Sequence, residues 1–539
     1  MHIDGDDNTV HSTRALRSAA GALLLGLVAG CGGGGGGGTP AAAPAAAPAP
    51  APTFDPAGPS ASFAQQCAAG NSLAASALRT STLATEKKWL RAYMDEAYLW
   101  RAEVPSVDPG LASYTGSDAY AALDAYFEAL KTPQVTEGGE RRDRFSFTYP
   151  TDQWKALTEQ AVEPGYGVEW KVTNAQPPRQ IQVAYVEPGS PAALAGLVRG
   201  DQLVSADGTS ADVASQAGID VLNGALVPPA AGEKHDFVFT RADGTTLSRS
   251  LESAGVIRTP VPLARVVSTP QGRSAGYLLF NDHLPAAEAQ LIAAVRDFKA
   301  QGVGELVIDL RYNGGGYLYI ASELASMVAG TARTAGKPFE TLKYSALRSA
   351  ENRSMPFYDT SCILVGDSCA EEKPLPMLNL SRVYVLAQSG TCSASEAIVN
   401  SLRGVGVEVV LVGGKTCGKP YGFTPKDNCG ISYFPIEFKG VNAQGFGDYG
   451  DGFEPSASDK AGTRFVKGCT VADDTRHGLG DASEGMLSAA LGHIDSGSCP
   501  AGSVPTQARP QAQATHRGEG MSLALRRHPA RSNRVLLPR

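Results

Sequence analysis

A serine and two lysines between residues 391 and 419 have the types and spacing that acyl-transfer chemistry needs. Ser393 offers a hydroxyl nucleophile, and Lys415 and Lys419 offer amines that can take up its proton. A lysine is a base only when it is neutral, so desolvation must lower its reference pKa of about 10.4 by several units. This stretch therefore predicts a serine nucleophile served by a lysine base.

Two predicted strands would position these side chains. The apolar run 383–387 predicts a buried strand, and the pattern after Ser393 predicts a helix. Ser393 is then expected at a strand-to-helix turn, where its hydroxyl points out of the sheet edge and the amide of Ala394 can donate to an oxyanion. The run 407–412 predicts a second buried strand, which would deliver the loop that carries both lysines.

Helix capping is a simpler interpretation of the same residues. Ser393 and Glu396 fit the S-x-x-E capping box, in which the serine only satisfies amides at a helix N-terminus. Lysines in loops are, moreover, mostly solvated. Because capping boxes are common, these residues alone favour capping, and the rest of the chain has to decide.

A glycine-rich loop follows a third predicted strand, 305–310. The strand ends in RYNGGG (311–316), and a helical pattern comes next. Glycines in this position let backbone amides converge on an anion. A phosphate-binding loop is the competing interpretation, but no Gly-Lys-Ser/Thr completes it. An oxyanion hole with Ser393 as its partner fits better.

The N-terminus has the pattern of a secretory signal. Arg14 and Arg17 precede an apolar run, 19–29, and the segment ends in VAGC at Cys31, which resembles the bacterial lipoprotein cleavage box. The run is shorter than the roughly 20 apolar residues that cross a membrane. Residues 32–52 are low in complexity and predict a disordered spacer. By resemblance, the glycine after the cysteine favours an outer-membrane lipoprotein.

Eight further cysteines predict disulfides in an exported protein, although eight cysteines allow 105 pairings. Cys362 with Cys369, and Cys417 with Cys429, are close enough in sequence to be plausible pairs. A metal site is the alternative, but no C-x-x-C or paired-histidine spacing supports it. The net charge of −7 argues against a nucleic-acid partner.

The chain beyond Thr53 is too long for one core, so two or three domains are expected. Residues 75–131 show helical periodicity with an aromatic stripe that is typical of a core.

Residues 183–197, ending in GSPAALAGL, precede a Gly-Asp pair at 200–201 and resemble a PDZ domain. Such domains hold a peptide as an added strand. A structural β-domain without a ligand is the alternative.

The chain from residue 165 to about 490 resembles the carboxy-terminal processing peptidases, also called tail-specific proteases. The resemblance rests on a PDZ domain and three motifs in the family's order: DLRYNGGG (309–316), SASE (393–396) and VGGKTCGK (412–419). It implies a crotonase-like α/β peptidase core that needs no metal or organic cofactor. It also implies a carboxylate-binding loop in the PDZ domain made of Gly165, Tyr166, Gly167 and Val168.

The resemblance also implies roles for individual residues. Ser393 matches the nucleophile and Lys419 the base, and the amides of Gly315 and Ala394 match the oxyanion hole. Lys415 falls where the family usually has proline, so it is interpreted as a bystander. Many members carry a glutamine that orients the lysine from four residues further on, but here that position is Phe423. Either another residue orients the lysine or activity is reduced.

Together these patterns predict an exported multidomain α/β serine endopeptidase that acts on proteins with exposed C-termini and is anchored to the membrane by lipid at Cys31. A catalytically impaired peptide-binding lipoprotein and an acyl-thioester enzyme on the crotonase-like fold are the alternatives. The predicted divisions are signal and lipidation site 1–31, linker 32–60, helical N-terminal domain 61–160, PDZ-like domain 161–258, peptidase core 259–500 and disordered basic tail 501–539.

Overall fold

A computed structural model describes residues 58–174, 177–365, 368–501 and 534–535. The predicted signal, the lipidation site Cys31, most of the linker and most of the tail lie outside these residues. Within the described part of the chain, no helix combines the length and apolar character that a membrane crossing requires.

The N-terminal region is helical, as predicted, and packs directly on the rest of the chain. Thr82 and Asp118 cap its two longer helices through their side chains. The Trp89 ring lies 4.9 Å from that of Tyr433, so this region and the later sheet share one hydrophobic core. Its elements are α1 (Leu83–Ala97), α2 (Ala119–Ala129), β1 (Phe147–Pro150) and α3 (Thr151–Gln160).

The second region is a β-rich domain with a core of its own. Five strands follow one another in the order β3-β4-β5-β7-β8, with β6 paired to β5, and β2 pairs with β9. The elements are β2 (Val162–Gly165), β3 (Val168–Val172), β4 (Ile181–Val186), α4 (Pro191–Leu194), β5 (Gln202–Ala206), β6 (Thr209–Ser210), α5 (Gln216–Leu226), β7 (Lys234–Thr240), β8 (Thr246–Glu252) and β9 (Ala254–Ile257).

The third region contains a seven-stranded sheet in the order β10-β11-β12-β18-β19-β25-β24, parallel except for β10 with β11. Its elements are β10 (Leu263–Ser268), β11 (Ser274–Leu279), α6 (Ala287–Ala300), β12 (Leu306–Asp309), β13 (Gly316–Tyr317), α7 (Leu318–Ala329), α8 (Thr331–Thr334), β14 (Pro338–Tyr344), β15 (Arg353–Pro356), β16 (Ile363–Val365), β17 (Ser368–Glu371), β18 (Arg382–Ala387), α9 (Ala394–Gly404), β19 (Glu408–Gly413), β20 (Tyr421–Gly422), β21 (Lys426–Asn428), β22 (Ile431–Phe434), β23 (Phe438–Val441), β24 (Glu454–Ser456), β25 (Phe465–Thr470) and α10 (Gly485–Ser496).

Both faces of this sheet are covered at its centre, which explains why β12, β18 and β19 contain long apolar runs. On β18, Val383 and Val385 pack with α6, α7 and α9, whereas Tyr384 and Leu386 pack with α10 on the other face. Because β12, β18 and β19 are adjacent and parallel, their carboxyl ends meet at one edge. The glycine loop, the Ser393 turn and the lysine loop follow these three strands.

Four disulfides join the cysteines of the described residues. The predicted pair Cys362–Cys369 is confirmed, but the predicted pair Cys417–Cys429 is wrong. Cys417 is bonded to Cys392, because both residues follow neighbouring parallel strands and their Cα atoms lie 5.2 Å apart. The remaining bonds are Cys67–Cys429 and Cys469–Cys499.

Within the predicted tail, residues 534 and 535 form a short strand, β26 (Arg534–Val535), where disorder was predicted. This strand pairs in parallel with β13, so that Gly316 faces Arg534 and Tyr317 faces Val535. It also contacts β20. The reason is that β13 offers backbone groups at a strand edge, which a second extended segment can pair.

Candidate active site

Ser393 occupies the predicted turn between β18 and α9, in a backbone conformation with φ +60° and ψ −111°. Residues with a β-carbon rarely adopt this region, and such strain is concentrated at functional sites. The serine is fully buried. The turn abuts the glycine loop, because the Cys392 amide and the Ser395 hydroxyl both donate to the Asn313 carbonyl, at 3.1 and 3.0 Å.

The carboxylate of Glu396 joins the Ser393 turn to the lysine loop. Its Oε2 accepts hydrogen bonds from the Ser393 and Lys419 amides, at 2.9 and 2.8 Å. Its Oε1 accepts from the Gly418 amide at 2.8 Å and from the Thr416 hydroxyl at 2.5 Å. Burial raises the pKa of Glu396, and these four hydrogen bonds oppose that rise.

Glu396 can therefore cap the helix and hold the lysine loop beside Ser393 at the same time. Glu396 accepts the Ser393 amide as a capping box requires. The same carboxylate also holds the backbone of the loop that carries Lys419. The disulfide Cys392–Cys417 adds a covalent link, since Cys392 directly precedes Ser393 and Cys417 lies two residues before Lys419.

Lys419 is fully buried, and its amine lies over two aromatic rings. Its Nζ is 5.1 Å from the ring centroid of Phe145 and 5.0 Å from that of Phe423. Gly418, which precedes the lysine, has φ +86°, and a β-carbon there would lie 2.3 Å from the Gly450 carbonyl oxygen. Only glycine fits this turn. Lys415, in contrast, is exposed.

Around Asn313, the glycine loop is held by hydrogen bonds between neutral groups. Asn313 Nδ2 donates to the Phe280 carbonyl at 2.9 Å, so its Oδ1 faces inward and accepts from the Gly315 amide at 2.9 Å. His283 Nδ1 lies 2.9 Å from the same oxygen and must carry the proton there, because this oxygen only accepts. Burial of His283 lowers its pKa to about 4.

The two amides predicted to form the oxyanion hole differ in their hydrogen bonding. The Gly315 amide already donates to Asn313 Oδ1, so it must exchange that bond to bind an oxyanion. The Ala394 amide is at the first position of α9, where helical amides have no partner within the helix. The helix dipole also favours negative charge there.

An ionic network ties the glycine loop to the β-rich domain. Arg311 is fully buried and forms paired hydrogen bonds with Asp309, at 2.9 Å each, and with Glu484, at 2.7 and 2.9 Å. It also donates to Asp473 at 2.9 Å. Arg199, from the β-rich domain, contacts Asp473 at 2.6 Å and the Tyr312 hydroxyl at 2.5 Å. The loop and this domain therefore share one carboxylate.

The four predicted carboxylate-loop residues lie in the β-rich domain, on a different sheet from Ser393. Gly165 ends β2 and Val168 begins β3. Tyr166 is buried, and its ring centroid lies 5.5 Å from that of Phe237. Gly167 has φ +76°, and a β-carbon there would lie 2.3 Å from that of Ser190. The connection thus requires glycine, and its buried tyrosine anchors it to the core.

Sequence reasoning missed three residues that shape this site. Phe145 and His283 belong to no motif, and only long-range packing brings them to the lysine and the glycine loop. Glu396 had a signal, since it completes the S-x-x-E pattern, but its contacts with the lysine loop depend on the fold.

Comparison with family models gives three matches in the order in which the domains occur. Residues 85–147 match the Peptidase S41 N-terminal domain, residues 182–219 match the PDZ domain, and residues 274–426 match Peptidase family S41. The last match contains the glycine loop, Ser393 and Lys419.

Curated relatives agree with these matches. A carboxyl-terminal-processing protease of Picosynechococcus is 28% identical over 253 residues, which cover 44% of this chain and 50% of the relative. The carboxy-terminal processing protease CtpB of Bacillus subtilis is 28% identical over 233 residues, or 43% and 42% of the two chains. The chain thus spans about half the length of the curated relatives it matches.

A solved structure shows the same fold. A crystal structure from Bacteroides fragilis that is assigned to the S41 proteases aligns with a TM-score of 0.55 and 24% identity, covering 76% of this chain and 97% of that one. This likeness shows the fold. The ordered domain matches and the curated relatives make the chain similar to the carboxy-terminal processing peptidases, and residues 274–426 carry the match to Peptidase family S41.

Proposed function

We propose that this protein is an exported serine endopeptidase that uses a dyad of Ser393 and Lys419. One observation carries the proposal. A strained, buried serine turn and a buried lysine loop follow adjacent strands and are joined by Glu396 and a disulfide, directly beside the glycine loop. Helix capping alone explains neither the backbone strain nor the link to the lysine.

In the proposed mechanism, neutral Lys419 takes the proton of Ser393 as the serine oxygen attacks a peptide carbonyl. The Ala394 amide and the Gly315 amide, once released from Asn313, hold the oxyanion. The protonated lysine then gives its proton to the leaving amine. Water hydrolyses the acyl-enzyme: the lysine accepts the proton of that water and returns it to the Ser393 oxygen as the acyl group leaves. Full burial of Lys419 favours the neutral amine that the first step requires.

The proposed substrates are proteins with exposed C-terminal tails. The PDZ domain would bind the tail as an added strand, with the carboxylate at the loop of Gly165, Tyr166, Gly167 and Val168. The shared carboxylate Asp473 offers a physical route by which this domain can influence the glycine loop.

We further propose that lipid at Cys31 anchors the protein to the outer membrane, facing the periplasm. Replacing Cys31 with serine should release it from the membrane fraction.

A second candidate function is peptide binding without efficient cleavage. Two observations favour it: the Gly315 amide is engaged by Asn313, and Phe423 stands where many relatives have glutamine. In that case the protein would retain the PDZ ligand but turn over little substrate.

Cleavage of an unfolded protein with an apolar C-terminal tail separates these functions. Protein beginning at Thr53 is compared with its Ser393→Ala and Lys419→Ala variants, and Lys415→Ala serves as the exposed control. We expect cleavage that is lost in the first two variants and retained in the control. Binding of the tail without cleavage by any folded form would instead support the peptide-binding protein.

A further inference from the structure

The aromatic contacts of Lys419 come from two separate parts of the chain. Phe145 precedes β1 in the N-terminal region, and Phe423 directly follows β20. Phe423 is fully buried and is fixed by edge contacts with Phe147 and Phe434, with ring centroids 5.7 and 5.2 Å away. The lysine amine thus lies within contact distance of two rings, one of which is locked in an aromatic cluster.

We propose that Phe145 and Phe423 are positioning residues that hold the Lys419 amine for the reaction and control its protonation, replacing the orienting glutamine of many relatives. The proposal rests on the proposed function, since it concerns the base of that reaction. Glutamine fixes an amine through hydrogen bonds, which have direction. Two aromatic rings in contact with the same amine restrict its position and attract it only while it is charged.

The rings and burial act on the lysine in opposite directions. Burial favours the neutral amine, whereas the electron-rich ring faces favour the ammonium ion. The rings therefore keep the proton on Lys419 at a higher pH than an aliphatic pocket of equal burial would. This balance also lets the lysine hold the proton long enough to deliver it to the leaving amine.

Other charged groups face the same region. Glu396 on α9 accepts the Lys419 amide, and the Arg144 guanidinium lies 4.5 Å from the Phe145 ring centroid. Lys415, on the lysine's own loop, is exposed. Because Phe145→Leu also removes the contact of Arg144 with that ring, Phe423→Leu is the cleaner test of what a ring contributes to the lysine.

The first test is the pH dependence of kcat/KM for the parent protein, Phe423→Leu and Phe145→Leu. Leucine preserves an apolar environment but removes the ring face. We expect the acidic limb of the profile to move to lower pH by about half a unit for each variant. Phe423→Gln restores a polar partner for the ammonium ion and should move the limb back towards that of the parent.

Phe434→Leu is the matched control, because Phe434 is equally buried and contacts Phe423 and Phe147 in the same cluster. It creates a similar packing defect without removing either ring that contacts the lysine. A fall in activity with an unmoved limb is expected there. The same result for Phe423→Leu and Phe145→Leu would overturn the proposal and assign the rings a packing role only.

A second measurement is independent of activity. In protein carrying Ser393→Ala, NMR of isotope-labelled lysine, assigned with Lys419→Ala, follows the amine of residue 419 through its titration. A lower titration midpoint in Phe423→Leu supports the proposal even if the parent cleaves nothing, in which case only the proposed function fails. An unchanged or higher midpoint overturns the proposal even if the parent is an active peptidase.

Discussion

The two halves of the candidate active site are built by different means. The half that carries Ser393 and Lys419 is joined by the disulfide Cys392–Cys417 and by the buried carboxylate of Glu396. The glycine-loop half is held around Asn313 by hydrogen bonds between neutral groups. Covalent and charge-assisted contacts cost more to break than neutral hydrogen bonds do.

This difference indicates which half adjusts when a substrate binds. The backbone segments that carry Ser393 and Lys419, the proposed nucleophile and base, are linked to each other before a substrate binds. The Gly315 amide is engaged by Asn313 and has to change partner to hold an oxyanion. We therefore expect substitutions in the half that carries Ser393 and Lys419 to abolish activity. Substitutions in the glycine-loop half should cause smaller changes in stability or rate.

Glu396 should give the largest effect. Glu396→Ala leaves three buried amides and the Thr416 hydroxyl without their acceptor. We expect unfolding free energy to fall by about 4 kcal/mol and activity to disappear. Glu396→Gln keeps one acceptor oxygen and should lose about half as much. Urea unfolding and the cleavage assay measure both effects.

Glu86 provides the control for this prediction. It is also fully buried and accepts hydrogen bonds from the Ala68 amide and Asn71. Glu86→Gln should therefore reduce stability while leaving kcat close to that of the parent. Equal kcat losses in Glu86→Gln and Glu396→Gln would contradict a special role for Glu396 between the nucleophile and the base.

The disulfide beside the nucleophile should give the next largest effect. A double change, Cys392→Ser with Cys417→Ser, opens a loop with a sequence separation of 25 and should cost about 3 kcal/mol. Activity should fall at least tenfold, because the base loop then depends on Glu396 alone. The control is the same double change at Cys362 and Cys369, which removes a bond between residues seven apart and far from Ser393 in sequence. We expect kcat to stay unchanged there.

The glycine-loop half should respond to acid through His283. The pKa of His283 is about 4 in the folded protein and 6.5 in an ordinary setting, so the unfolded chain binds a proton first as pH falls. Stability is therefore complete above about pH 6.5 and declines by about 3 kcal/mol towards pH 4. Unfolding measured at several pH values should show a smaller decline for His283→Gln. An identical decline would assign the acid sensitivity to other groups.

Deleting residues 502–539 should give the smallest effect. The strand β26 covers the edge of β13 next to the glycine loop, where an extended peptide could pair. Because the described part of the tail pairs there through two residues, we expect kcat/KM to rise by no more than about threefold. An unchanged value in the truncated protein would show that the tail does not compete with substrate.

Local sequence patterns predicted much of the site. The turn at Ser393, the glycine loop and the lysine loop each follow an apolar run, and the structure has a strand in each place. The pairing of Cys417 was predicted wrongly because proximity along the chain does not report which strands are neighbours. Phe145 and His283 could not be found, since their partners lie far away in sequence.

The sequence by itself determined the local conformations and the residue types that the candidate site contains. Apolar runs and glycines act over a few residues, so the strands and turns that carry Ser393 and Lys419 can be inferred from them. Only the tertiary structure decided what surrounds those groups. The order β12-β18-β19 brings three loops to one sheet edge. The burial of Ser393 and Lys419, the ring contacts of the lysine and the carboxylates shared between loops all follow from this arrangement. They depend on distances in space and not on distances along the chain.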